Sequence, residues 1–198
     1  MNRLSETSQP AAQSSAGYAW SRVARRIRVP LGFIFTVVFV LLAKPTKTSL
    51  IVGSIVLVPG LALRALASGH VQKDKQLTTS GPYAYTRNPL YLGSLVLAAG
   101  FAIAARNWWI VAIMLLMFGV IYIPVIAGEE RYLRQVFPEY DDYARHVPRF
   151  LPRLTPYGSQ RGVYSSERYW KHREYQASIG CVVVVAVLMF KLMVKLVW

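Results

Sequence analysis

The run Asn107 to Gly128 is 22 residues long and carries no charged side chain. As an α-helix it rises roughly 33 Å, more than the ~30 Å hydrocarbon core of a bilayer. Four further apolar stretches accompany it: Val29 to Ala43, Leu50 to Ala67 with Arg64 inside it, Leu90 to Ala105, and Ala177 towards Trp198 with Lys191 and Lys195 near its end. The first and third are short, so each must borrow flanking residues, thin the bilayer locally or stop short of crossing. A composition of 54% hydrophobic and 16% charged residues agrees with this pattern, and mean hydropathy is +0.33. Disorder is excluded by that composition and a disulfide scaffold by the single cysteine. Cys181 falls inside the last apolar stretch, where packing is its expected role. The expectation is an all-α integral membrane protein with about five transmembrane helices arranged in hairpins.

A net charge of +14 on a soluble body would point to nucleic acid. Here the charge sits between apolar runs, so membrane lipids are the expected partner and nucleic acid is not. Lys44-Pro45-Thr46-Lys47 and Arg106-Asn107 are too short to be anything but tight turns between antiparallel helices. These turns hold three basic residues between them, whereas Arg131 to Arg173 holds nine and the N-terminal segment five. By the positive-inside rule the long basic loops are cytoplasmic and the tight turns face outward. Met1 to Gly17 lacks an apolar core and reads as an unstructured tail, and Tyr18 to Arg28 as a basic interfacial helix. The chain divides accordingly into 1–28, a membrane hairpin over 29–67, a core over 68–153, and a linker with the last helix over 154–198.

Polar residues gather in two segments, each touching the end of a membrane hairpin. In the first, Ser80-Gly81-Pro82 marks a turn, and Asn88 followed by Pro89 supplies an N-cap and a first-turn proline for the third helix. A helix N-terminus beside Thr and Tyr donors suits an anionic group, although Arg87 and the tyrosines also fit an interfacial belt. In the second, Glu129 and Glu130 close the longest apolar run, where carboxylates near lipid require a partner. Arg87, Arg131 or Arg149 could provide it as an ion pair, and so could a ligand cation. Glu130, Leu133, Phe137, Tyr140 and Tyr143 recur at helical spacing, which predicts an amphipathic helix lying on the membrane.

Gly81-Pro82-Tyr83, Arg87 to Gly93, Glu129-Glu130, Leu133, Phe137, Tyr140, Tyr143 and Val147 to Pro152 together resemble the isoprenylcysteine carboxyl methyltransferases and the related membrane phospholipid methyltransferases. The resemblance covers roughly Gln72 to Arg153. It implies a multi-span enzyme whose cytoplasmic loops bind S-adenosyl-L-methionine and which methylates an amphiphilic or lipid acceptor. It assigns cofactor contacts to Gln72, Lys75, Gln76, Leu77, Thr78, Tyr83, Arg87, Asn88, Pro89, Leu90 and Tyr91, with Glu129 meeting the methionine ammonium. Glu130 and Arg149 are the catalytic candidates, Glu130 as a base should the acceptor be an amine, a task His146 could share. No metal is required.

Two positions depart from the family pattern. Asn88 stands where the family has a His, which keeps hydrogen bonding but removes a titratable group. Val125 stands where members acting on prenylated proteins have an Arg. The chemistry is coherent all the same. A zwitterionic sulfonium needs a carboxylate for its ammonium (Glu129), donors for its carboxylate (Arg87 and the helix start at Asn88), and an aromatic slot (Tyr83 or Phe150). A membrane reductase using a nicotinamide, and a non-catalytic binding protein, are the alternatives. No Gly-x-Gly-x-x-Gly is present to favour the former.

Overall fold

The computed structural model describes residues 12–72, 76–158 and 162–197, and among these every regular element is helical. The helices are α1 Ala12–Leu42, α2 Lys47–His70, α3 Pro89–Ala105, α4 Trp108–Met117, α5 Ile123–Val136, α6 Tyr140–His146, α7 Ser166–Lys171 and α8 Tyr175–Val197. A 3-10 turn occupies Gly81–Ala84, and a π-helical turn, Phe118–Tyr122, fuses α4 to α5. Lys47–His70, Trp108–Val136 and Tyr175–Lys195 are each long and apolar enough to cross a membrane. Val29–Leu42 and Pro89–Ala105 are shorter apolar helices, the two whose brevity the sequence announces. The all-α membrane architecture is therefore as expected. α1 starts inside the segment read as a tail, and residues 1–11 of that segment lie outside the described residues.

Both tight turns form, and they lie together at one end of the bundle. The Thr46 hydroxyl accepts from Ser49 N at 3.2 Å while Thr46 N donates to Ser49 Oγ at 2.9 Å, a reciprocal cap on α2. Asn107 Oδ1 caps α4 by accepting from Trp109 N at 2.9 Å. The two turns are joined by Lys44 N to Ala105 O (2.8 Å), Ser49 Oγ to Ala104 O (3.1 Å) and Asn107 Nδ2 to Leu42 O (2.8 Å). Lys191 of α8 ends there too, its Nζ donating to the Val40 and Leu41 carbonyls at 2.6 and 2.9 Å. A cation is favoured at these orphan carbonyls of α1, which explains how the last apolar helix tolerates a lysine.

The most extensive interhelical contact joins α2 to α3. Lipid tails are as apolar as leucine, so association rests on close packing, and small residues permit it. Gly53 faces Gly100, and Gly60 faces Gly93. A Cβ on Gly53 would lie 2.6 Å from the Gly100 carbonyl oxygen, and one on Gly93 would lie 3.0 Å from that of Gly60. α1 crosses the other side, burying Ala24 against Ile121 and Val125. Pro124 has no N–H to offer the Val120 carbonyl one turn earlier. That carbonyl instead accepts from Trp20 Nε1 at 3.0 Å, tying α1 to the π turn.

The expected single amphipathic helix is split. α5 stops at Val136 and α6 starts at Tyr140, because Pro138 can neither donate to the preceding turn nor allow Phe137 a helical conformation. The helically spaced side chains still converge: Phe137, Tyr140, Tyr143 and Val147 form one buried cluster with Leu77 and Leu133 against it.

Gly53→Val is expected to lower the melting temperature in detergent, since the added side chain drives α2 off the α3 backbone at a cost of about 1–3 kcal/mol or more. Gly180→Ala, with nothing within 4 Å of its new Cβ, is expected to leave the melting temperature unchanged or raised. Equal melting temperatures for wild type and Gly53→Val would contradict the packing assignment.

Candidate functional site

At the opposite end of the bundle, Asn88 holds the N-cap position of α3 with Pro89 in the first turn, but its side chain makes no cap hydrogen bond. Its Nδ2 points across to α5, donating to Glu130 Oε1 at 3.2 Å and to the Arg149 carbonyl at 3.3 Å. Glu130 is 2% exposed, and a carboxylate at that depth must be neutralised and hydrogen-bonded. Arg149 does this with both prongs, Nε to Oε1 at 3.1 Å and Nη2 to Oε2 at 2.5 Å. Arg87 Nη1 stands 3.7 Å from Oε1. The bond to Glu130 holds the Arg149 guanidinium above its ordinary value.

This one carboxylate therefore joins the start of α3, the middle of α5 and the Val147-Pro148-Arg149 segment. Backbone bonds continue the seam. Arg87 N donates to Pro148 O (2.9 Å), Arg153 N to Tyr85 O (3.0 Å) and Tyr157 N to Ala84 O (3.0 Å). The Thr86 hydroxyl reaches the Arg149 carbonyl (3.1 Å) and that of Tyr143 reaches the Tyr83 carbonyl (2.7 Å).

Glu129, its neighbour in sequence, is placed differently. It is only partly buried, it accepts from the Tyr91 hydroxyl at 3.0 Å, and among the described residues it has no cationic partner. Tyr91 meets Tyr122 edge-on at 6.0 Å, Tyr122 stacks on Phe118 at 5.8 Å, and Phe118 touches Phe150 at 5.8 Å. The π turn brings this aromatic run into line, and such turns are frequent at functional sites. Tyr83 completes the group. Burial first, then the charges of Glu129 and Glu174 and the Tyr91 hydroxyl, push the Tyr83 hydroxyl above its ordinary value, so it is a proton donor throughout the neutral range.

The sequence-derived candidates thus fall into sets. Glu129, Tyr91 and Tyr83 lie together, and Glu130, Arg149, Asn88 and Arg87 form the adjoining network. Pro89 and Leu90 open α3, the Leu90 carbonyl accepting from Arg64 Nη1 at 3.5 Å. Gln72 and Thr78 close a loop of their own, Gln72 N donating to Thr78 Oγ1 at 3.1 Å. Leu77 packs on the Tyr143 cluster, Gln76 is exposed, and Lys75 lies outside the described residues. His146 is on the surface beside Asp142 and Tyr157. Among the described residues no cluster of three or more His, Cys, Asp or Glu could hold a metal ion. Sequence reasoning missed Glu174, which binds Arg64 Nε at 2.6 Å. The signal available was Arg64 itself, a charge inside an apolar helix that needs a partner.

An open cavity of about 430 Å³ is lined by Arg87, Arg134, Asp141, Ala144 and Arg145. A second, of about 480 Å³ and apolar, is lined by residues that include Leu63, Leu66, Pro82, Leu92 and Pro152.

The fold and site describe a small helical membrane protein with a polar, partly buried cluster at one end of its bundle. Residues 48–140 match the phospholipid methyltransferase family, which bears out the resemblance drawn from the motifs and carries it back into α2. The chain is 39% identical over 89 residues to a nickel-cobalt-cadmium resistance protein of Alcaligenes xylosoxydans xylosoxydans, covering 45% of this chain and 42% of that protein. It is 40% identical over 86 residues to a cobalt-zinc-cadmium resistance protein of Cupriavidus metallidurans, covering 43% and 40%. It is 28% identical over 148 residues to the protein-S-isoprenylcysteine O-methyltransferase of Schizosaccharomyces pombe, covering 70% and 61%. The chain therefore spans about two fifths of the first two relatives and about three fifths of the third. No solved structure is a significant match.

Glu130→Gln is expected to lower stability by about 3 kcal/mol, because it leaves Arg87 and Arg149 without their counter-charge. Glu129→Gln, at a half-open position with one neutral partner, is expected to change it by less than about 1 kcal/mol. Thermal unfolding of both variants in one detergent checks the order, and a reversed order would contradict the assignment of Glu130 as the structural carboxylate.

Proposed function

We propose that this protein is a membrane methyltransferase that uses S-adenosyl-L-methionine to methylate an amphiphilic acceptor, with its site on the cytoplasmic side. The observation that carries this is the contrast between the two adjacent carboxylates. Glu130 has both oxygens engaged by guanidinium and amide donors, whereas Glu129 keeps an oxygen with no partner among the described residues. A carboxylate held ready beside two tyrosines and an aromatic run fits a cofactor that carries an ammonium group and an adenine ring.

When bound, the cofactor supplies an electrophilic methyl group on a sulfonium, which an acceptor lone pair can take in a single in-line displacement. The chain's own residues supply binding, alignment and a dry boundary. Glu129 accepts from the ammonium, oriented by the Tyr91 hydroxyl. Arg87 is 13% exposed, and its Nε is buried with no hydrogen-bond partner among the described residues; its guanidinium is the cation that would turn towards the cofactor's carboxylate. Phe118, Tyr122 and Phe150 offer flat apolar faces to adenine. Tyr83 stays protonated and donates. Glu130 and Arg149 are assigned to positioning: a base whose lone pairs already receive three hydrogen bonds is poorly placed to take a proton. The apolar cavity beside Leu63, Leu66 and Leu92 suits the acceptor's tail. The basic loops at this end of the bundle support the cytoplasmic side.

Purified protein is expected to be heat-stabilised by S-adenosyl-L-methionine or its demethylated product and not by nicotinamide cofactors. Glu129→Gln is expected to weaken cofactor binding about tenfold to a hundredfold through loss of a charge-assisted bond. Unchanged affinity in that variant would remove Glu129 from the binding site, and stabilisation by a nicotinamide alone would overturn the methyltransferase assignment.

A further inference from the structure

Arg64 sits in the apolar helix α2, six residues before its end, and is used by none of the roles above. Its stem crosses to α3 over Gly93, where a Cβ would lie 2.5 Å from the arginine's Cγ, so the helix contact is shaped to admit it. The head reaches three groups: Glu174 Oε1 at 2.6 Å from Nε, Ser94 Oγ at 2.5 Å and the Leu90 carbonyl at 3.5 Å, both from Nη1. Ser94 in turn donates to Leu90 O at 3.0 Å.

The pair differs from the structural one in the same molecule. Arg149 grips Glu130, in the middle of α5, with two bonds, whereas Arg64 holds Glu174 through Nε alone and spends its other bonds on neutral oxygens. A charge at membrane depth is expensive, and a single-pronged pair compensates it incompletely. The side chains of Arg64 and Glu174 are 22% and 11% exposed, so the pair is not sealed. Glu174 comes from outside the helices that build the site, at the junction of α7 and α8, and its charge is one of those that bear on Tyr83. The pair lies beside the first turns of α3, where Arg64 meets Leu90 and Ser94.

We propose that Arg64 is the acceptor-binding cation and that Glu174 is an internal counterion which an anionic amphiphile, a membrane-anchored carboxylate or phosphate, displaces. The role as acceptor site rests on the methyltransferase reading; the anion site itself does not. The displaced Glu174 swings towards the loop it comes from, and Ser94, bonded to Arg64 and to the Leu90 carbonyl, keeps the guanidinium in place. An acceptor held by its negative group at this level keeps its chain in the hydrocarbon region and its head beside Tyr83 and Glu129.

The test is binding to the full chain in a neutral maltoside detergent, with hexadecanoate, hexadecyl phosphate, hexadecylamine and inorganic phosphate as probes. One or both anionic amphiphiles are expected to bind saturably, and hexadecylamine and inorganic phosphate are not. Glu174→Gln is expected to tighten anionic binding about tenfold by removing the competing carboxylate. The double variant Arg64→Gln, Glu174→Gln, which strands no charge, is expected to weaken it at least about tenfold. Its fold is verified by helix content and melting temperature. Equal affinity in wild type and double variant, preference for the amine, or inorganic phosphate binding as well as the amphiphiles would overturn the proposal. Cofactor affinity measured on the same samples keeps the outcomes apart. Failure of the wild-type protein to bind either anionic amphiphile, with cofactor binding intact, sinks this inference alone, and absence of cofactor binding sinks the methyltransferase reading.

Discussion

The buried carboxylate of Glu130 sets the geometry of the whole polar end of the molecule. A charge in a poorly hydrated position has to be met on every side, and the groups that meet Glu130 come from two separated parts of the chain: the adjacent Arg87 and Asn88, and Arg149. Satisfying one residue therefore fixes the start of α3, the middle of α5 and the segment after α6 with respect to each other. Glu129 is the next residue on the same helix. Once Glu130 is locked inward, Glu129 must project from a different part of the helix surface, towards Tyr91. The rigidity of one carboxylate is what keeps the other in a defined place.

A second constraint is the approach of α2 to α3. With no hydrophobic force between helices in lipid, glycine pairs bring the two backbones together. That contact lets Arg64 lie across Gly93 and makes the start of α3 a place where Arg64 of α2 meets Glu174 from the α7–α8 junction. The far end of the bundle uses hydrogen bonds between turns for the same purpose, with Lys191 completing the carbonyls of α1.

Much of this is legible in the sequence for physical reasons. Apolar length gave the helices, short polar gaps gave the turns, and Asn88-Pro89 gave the start of α3. The motifs around Tyr83, Arg87 and Glu129-Glu130 pointed to the match over residues 48–140. Other features depend on distant partners and were not legible. Nothing local tells Glu129 from Glu130, because the difference lies in what Asn88 and Arg149 do in three dimensions. The Asn88 side chain, an N-cap by sequence, turns away from its own helix to serve Glu130. Helical spacing from Glu130 to Tyr143 suggested one helix, and Pro138 overrode it. Arg64 and Glu174 are 110 residues apart, and the seven-residue spacing of Gly53 with Gly60 and of Gly93 with Gly100 becomes meaningful only when the two helices are set antiparallel.

The account stands on methyl transfer to a membrane acceptor, and the most direct measurement is transfer of a labelled methyl group from S-adenosyl-L-methionine into a total lipid extract by the purified protein. The account predicts label in the organic phase with wild-type protein and much less with Glu129→Gln at the same cofactor concentration. Label that never leaves the aqueous phase, under conditions where the cofactor is shown to bind, would contradict it.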